Sequence, residues 1–73
     1  MSTVRKRSVT IAGHATSVSL EPGFWDALSR LAAVRGVPVN RLVEAVDADR
    51  GPDGNLSSAL RVAVLAAALA REI

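Results

Sequence analysis

The segment Ala15-Thr16-Ser17-Val18-Ser19-Leu20 alternates between two kinds of side chain. Thr16, Val18 and Leu20 fall on one side and Ala15, Ser17 and Ser19 on the other. This is the period-2 pattern of a strand with one apolar face and one small polar face. Nearly everything after it reads as helix. A lone strand leaves its backbone N–H and C=O groups unpaired, so this one needs a partner. The candidates are a second copy of the chain and the short segment just upstream. The resulting expectation is an obligate homodimer joined through a shared strand pair.

Size points the same way. A domain of 73 residues buries only about 60% of the surface its unfolded chain exposes. The chain has no cysteine, so neither a disulfide nor a thiolate metal site adds stability. A second copy is then the readiest source of further core. The apolar residues are mostly Ala, Val and Leu, with Phe24 and Trp25 as the aromatic side chains. That composition suits closely packed helices.

Upstream of the strand, Arg5-Lys6-Arg7 is a basic run, and the rest of the chain holds six arginines against seven acids. A basic segment before a nearly neutral body implies an anionic partner. Residues 1–7 read as a flexible basic arm and residues 8–73 as one domain. Ser8-Val9-Thr10-Ile11 alternates and suits a short strand. Two arrangements fit it: a hairpin turning at Gly13-His14, or one long strand broken by a bulge or bend at Gly13. Gly-His is a weaker hairpin signal than Asn-Gly or Asp-Gly, which favours the extended arm.

Glu21-Pro22 ends the strand and opens a first helix over 22–35. Proline suits a first helical turn, and Gly36 sits where a left-handed terminator belongs. Phe24, Leu28, Leu31 and Ala32 share one face of it. After the corner Val37-Pro38 comes a second helix over 39–48, with Val39, Leu42, Val43 and Val46 on one face. Gly51-Pro52-Asp53-Gly54 breaks the chain. Asn55 then caps a third helix over 56–71. This helix carries two apolar stripes, one of Leu56, Leu60, Ala63, Val64 and Ala67, the other of Val62, Leu65 and Leu69. It therefore buries two sides, one against the other helices and one against a partner. It is shorter than the ~20 residues of a membrane span, and no apolar run follows the early charges. A cytoplasmic protein without membrane contact is expected.

Strand, helix, glycine corner and helix, in this order and size, resemble the ribbon-helix-helix family. The residues that carry the resemblance are Ser17-Val18-Ser19-Leu20, then Phe24, Leu28 and Leu31, the corner Gly36-Val37-Pro38-Val39-Asn40, and Leu42, Val43 and Val46. The flanks 5–14 and 55–61 look like one bacterial subfamily with a basic arm and an added C-terminal helix. The resemblance implies a mainly α fold with one β-ribbon: an intertwined homodimer with an intermolecular antiparallel ribbon, plus a third helix. It implies that the ribbon enters the DNA major groove. Ala15, Ser17 and Ser19 would then face the bases. Thr16, Val18, Leu20, Phe24, Leu28, Leu42, Val43 and Val46 would form the dimer core. Phosphates would fall to the start of the second helix, Val39, Asn40 and Arg41, and to Arg5, Lys6, Arg7 and His14. Serine pairs with several bases and discriminates poorly, and Pro38 replaces a capping serine of the family corner. The basic arm would thus supply affinity more than specificity.

No catalytic constellation appears. Ser57-Ser58 has no base or acid placed to activate it, and both suit a helix start. Glu44, Asp47 and Asp49 read as a solvated face. His14, the single histidine, has no companion ligands for a metal. No enzyme, metal or cofactor is expected. The leading expectation is a dimeric regulator bound to double-stranded DNA. The alternative is a protein–protein module on the same fold, docking a partner through the third helix or the arm.

Overall fold

The computed structural model describes residues 3–51 and 54–73; Pro52 and Asp53 of the expected breaker lie outside them. The order is β1 (Arg5–Ile11), β2 (His14–Leu20), α1 (Pro22–Arg35), α2 (Val39–Asp49) and α3 (Leu56–Leu69). The two strands form an antiparallel hairpin in register from Arg5↔Leu20 to Ile11↔His14. The extended arm with an irregularity at Gly13 is therefore corrected to a tight turn, and the turn is Ala12-Gly13, with His14 opening β2.

The reason is local. Ala12 has φ 51° and Gly13 φ 80°, the doubly left-handed geometry whose twist matches the paired strands. Gly13 takes it without cost. Ala12 costs about 1–2 kcal/mol there, which the rest of the fold offsets. Arg5, Lys6 and Arg7 correspondingly belong to β1 and not to a flexible arm. Val9 and Ile11 of this strand join the core, which gives the segment an apolar reason to fold back.

Helix α1 starts behind Glu21, whose carbonyl accepts the Phe24 and Trp25 N–H groups. It ends at Gly36 (φ 71°), where Val37 N–H reaches the Ala32 carbonyl and Gly36 N–H that of Ala33, a Schellman closure. The same closure recurs at the end of α3 around Arg71 (φ 60°), with Glu72 N–H on the Ala67 carbonyl. That turn cuts α3 slightly short of the expected 56–71. It also swings Glu72 onto Arg35, which donates from Nε (2.7 Å) and a terminal nitrogen (3.0 Å). The Asn55 side chain accepts from Ser58 N–H (3.0 Å), as its capping role requires.

One core joins all five elements. Val9, Val18 and Leu20 of the hairpin meet Leu28, Leu31 and Ala32 of α1, Leu42 and Val43 of α2, and Leu60, Val64 and Ala67 of α3. Burying a side chain of this size contributes roughly 1.5–3 kcal/mol. The expected inner stripe of α3 is thus in the core. Its second stripe is exposed, with Val62 62%, Leu65 55% and Leu69 76% accessible.

Candidate nucleic-acid interface

Directly opposed residues of an antiparallel pair share a face, so the register sorts the hairpin. Arg5, Arg7, Val9, Ile11, His14, Thr16, Val18 and Leu20 lie on the core side; Lys6, Ser8, Thr10, Ala15, Ser17 and Ser19 lie on the other. All of the second group are exposed except the half-buried Ser19. The outer face is therefore rich in hydroxyls, free of acids and positive at Lys6. Ala15, Ser17 and Ser19 stand where the sequence placed them. Ser8 and Thr10 join them from β1, and sequence reading missed both. Their signal was the alternation Lys6, Ser8, Thr10 ahead of a two-residue turn.

Strand geometry also divides the basic run. Lys6 points outward, whereas Arg7 points inward and lays its guanidinium 5.0 Å from the centre of the Trp25 ring. A cation over an indole face is favourable. The Arg7 Nε is buried there without a hydrogen-bond partner. Arg5 and His14 are exposed near opposite ends of the core-side face.

Each hairpin edge is closed at one end. On β1, the Asn40 side chain accepts from Thr10 N–H (2.7 Å) and donates to the Thr10 carbonyl (2.7 Å), as a neighbouring strand would. Glu44 accepts from Ala12 N–H (3.2 Å). Asn40 thus spends its side chain holding the hairpin, a role the sequence did not reveal because the two residues are far apart in the chain. On β2, Ser57 Oγ accepts from Ser19 N–H (3.0 Å) and Arg61 donates to the Ser19 carbonyl (3.2 Å). Arg61 also donates to Glu21 (3.0 Å), and its guanidinium lies 5.9 Å from the Phe24 ring centre. The Glu21 carboxyl titrates below the usual carboxylate range, through a hydrogen bond from its own backbone and then through Arg61. Since the Ser19 groups point away from β1, alternation turns those of Ser17 and Ala15 the same way. No hydrogen bond of the described residues occupies them.

At the start of α2, Arg41 and Leu42 N–H bond to the Pro38 carbonyl. The Val39 and Asn40 N–H groups precede the first intrahelical bonds. Arg41 is exposed, with its Nε 3.9 Å from Glu44. Asp47 sits toward the far end of α2, paired with Arg50 (2.6 Å). Among the dimer-core candidates, Val18, Leu20, Leu28, Leu42 and Val43 are buried within the single chain, Phe24 and Val46 are half-buried, and Thr16 is exposed. Among the described residues no cluster of three potential metal ligands occurs, and no helix is long and apolar enough to cross a membrane.

A family model described as a ribbon-helix-helix domain matches residues 4–68, from the first strand to the end of α3. The chain belongs to the ribbon-helix-helix family. Domains of this family generally bind DNA as dimers and are typically non-enzymatic regulators. The fold is also that of a solved structure, an uncharacterized protein from Bordetella pertussis Tohama I. The two share 38% identity and superpose with a TM-score of 0.81 over 94% of this chain. The chain spans 58% of that protein's length. No functionally curated protein matches.

Proposed function

We propose that this chain is a dimeric, cytoplasmic DNA-binding protein of bacterial type that regulates transcription by placing its β-ribbon in the major groove. One observation carries the reading: the hairpin's outer face is acid-free, and it offers hydroxyls at exposed Ser8, Thr10 and Ser17 and at half-buried Ser19 beside Lys6. In the dimer the two central strands, β2 and the β2 of the second copy, form the two-stranded ribbon that fits the major groove. There hydroxyls donate to or accept from base edges, and each β1 flanks the ribbon on the phosphate side. Lys6 and Arg5 supply phosphate contacts, joined by Arg41 and the free N–H groups at the start of α2. The two copies meet along β2, where the backbone groups of Ala15 and Ser17 are open and Thr16 is uncovered. Pairing there joins two hairpins into one continuous sheet with a doubled outer face.

Fluorescence anisotropy of duplex DNA across a salt series tests this. Tight binding that falls steeply with salt is expected. A variant with Arg5→Ala and Lys6→Ala should bind more weakly and lose about 1 from the log–log salt slope for each phosphate contact removed. Absence of binding at low salt overturns the reading. A protein-docking role for α3 is the second reading, favoured by exposed Val62, Leu65 and Leu69. It predicts that polar substitution of these three leaves DNA binding intact and abolishes capture of a protein partner.

A further inference from the structure

We infer that the first turns of α3 are a register stop, which sets how a second copy of this chain pairs along β2. The inference rests on the edge-to-edge dimer proposed above and asks which pairing it uses.

Five symmetric antiparallel registers keep the pleat and pair at least three residues of β2. They place Ala15, Thr16, Ser17, Val18 or Ser19 at the two-fold axis. All five keep core-side residues opposite core-side residues and bring outward-pointing backbone groups face to face. The polar, small-residue pattern of β2 therefore does not choose between them, because only a one-residue slip reverses the faces.

Ser57 and Arg61 make the choice. The Ser17-centred register is the longest in strand residues, pairing Ser17 with the partner's Ser17 and Ala15 with the partner's Ser19. It needs the N–H and C=O of Ser19, as do the Val18- and Ser19-centred registers, and those groups are already bound by the Ser57 hydroxyl and the Arg61 guanidinium. It also drives the partner's turn past Ser19 toward the start of α3. The Ala15-centred register needs Gly13, which lies in the left-handed turn and not in strand geometry. The Thr16-centred register uses Ala15 and Ser17, the residues whose outward groups are open. Ala15 pairs reciprocally with the partner's Ser17, and Ser17 with the partner's Ala15. The partner's turn then ends opposite Ser19, where its Gly13 carries no side chain to strike Ser57 or Arg61.

Thr16 becomes a pair across the axis without hydrogen bonds between the two residues, with Cα atoms about 4.5 Å apart. A disulfide tolerates that spacing. The chain has no cysteine of its own, so single-cysteine variants report register directly. Ala15→Cys, Thr16→Cys and Ser17→Cys are oxidised mildly as full chains, and the cross-linked dimer is followed on non-reducing gels.

Thr16→Cys is expected to cross-link about tenfold faster than either neighbour, since the three geometries exclude one another. Adding Ser57→Ala, or separately Arg61→Gln, opens Ser19 and should raise Ser17→Cys cross-linking several-fold relative to Thr16→Cys. The two release variants are made separately, so that loss of folding in one leaves the other informative. Equal cross-linking of Thr16→Cys and Ser17→Cys with Ser57 and Arg61 intact overturns the stop and leaves the dimer standing. So does a ratio that neither release variant changes. Sedimentation of the unsubstituted protein as a monomer, with no cross-linking at any position, overturns the dimer and the stop together.

Discussion

The hairpin and α3 both pack one face into the same core, yet their outward faces differ in kind. The hairpin shows solvent Lys6, Ser8, Thr10, Ala15 and Ser17; α3 shows it Val62, Leu65 and Leu69. On the hairpin, an exposed row of hydroxyls lowers no free energy by association with another apolar surface. It is suited to a ligand that offers donors and acceptors in a groove. On α3, the exposed stripe is short and flanked by alanines, and it gains by leaving water. The contrast separates recognition of a polar partner from recognition of an apolar one, and it places the two on different elements of a very small domain.

The sharpest way to break the contrast is to compare the two stripes of α3. Leu60→Ala, in the buried stripe, should lower stability by about 2–5 kcal/mol, read from urea unfolding. Leu65→Gln, in the exposed stripe, should change it by less than about 0.5 kcal/mol. A Leu65→Gln loss comparable with that of Leu60→Ala would show that the outer stripe is itself covered. Next in size, Asn40→Ala removes both bonds to Thr10 and should cost roughly 1–3 kcal/mol. Amide hydrogen exchange should show the β1 edge opening first. If Thr10 and Ala12 keep their protection, Asn40 does not hold the hairpin.

Gly13→Ala tests the turn that forms the outer face. A side chain at φ 80° should cost about 1 kcal/mol and weaken DNA binding with it. The smallest effect is electrostatic. Glu21 and Glu72 titrate below their ordinary range in the folded chain. For Glu21 the first cause is its own backbone hydrogen bond; for Glu72 it is the bond from Arg35. A lowered folded-state value means stability that is present above the ordinary carboxylate range and lost as pH falls through the lowered value. The melting temperature should therefore drop in strong acid. Glu72→Gln should show a smaller drop, and an unchanged profile would exclude the Arg35–Glu72 pair as a source.

Much of this was legible along the chain because it depends on neighbours in sequence. Alternation over 15–20 marked β2 and its two faces. Helical spacing marked Leu28, Leu31, Leu42, Val43, Leu60 and Val64 as core, and Gly36 marked the end of α1. The order of these elements already resembles the ribbon-helix-helix family to which the chain belongs. The hairpin was misread because Gly-His looked like a poor turn, while the turn lay one residue earlier, at Ala12-Gly13. With it went the basic run, which is strand because Val9 and Ile11 find a core to enter.

The candidate interface was legible on β2 and illegible on β1. Which side chains point outward depends on strand assignment, and for β1 that depended on contacts from α2. Local pattern by itself determined β2, the three helices, their apolar faces and the small polar face of β2, since steric preference and period act over a few residues. Tertiary structure alone decided that Asn40 and Glu44 close the β1 edge, that Ser57 and Arg61 close the end of β2, and that Arg7 lies against Trp25. Those contacts join residues far apart in sequence, and their partners are set by how the helices pack. No periodicity records that.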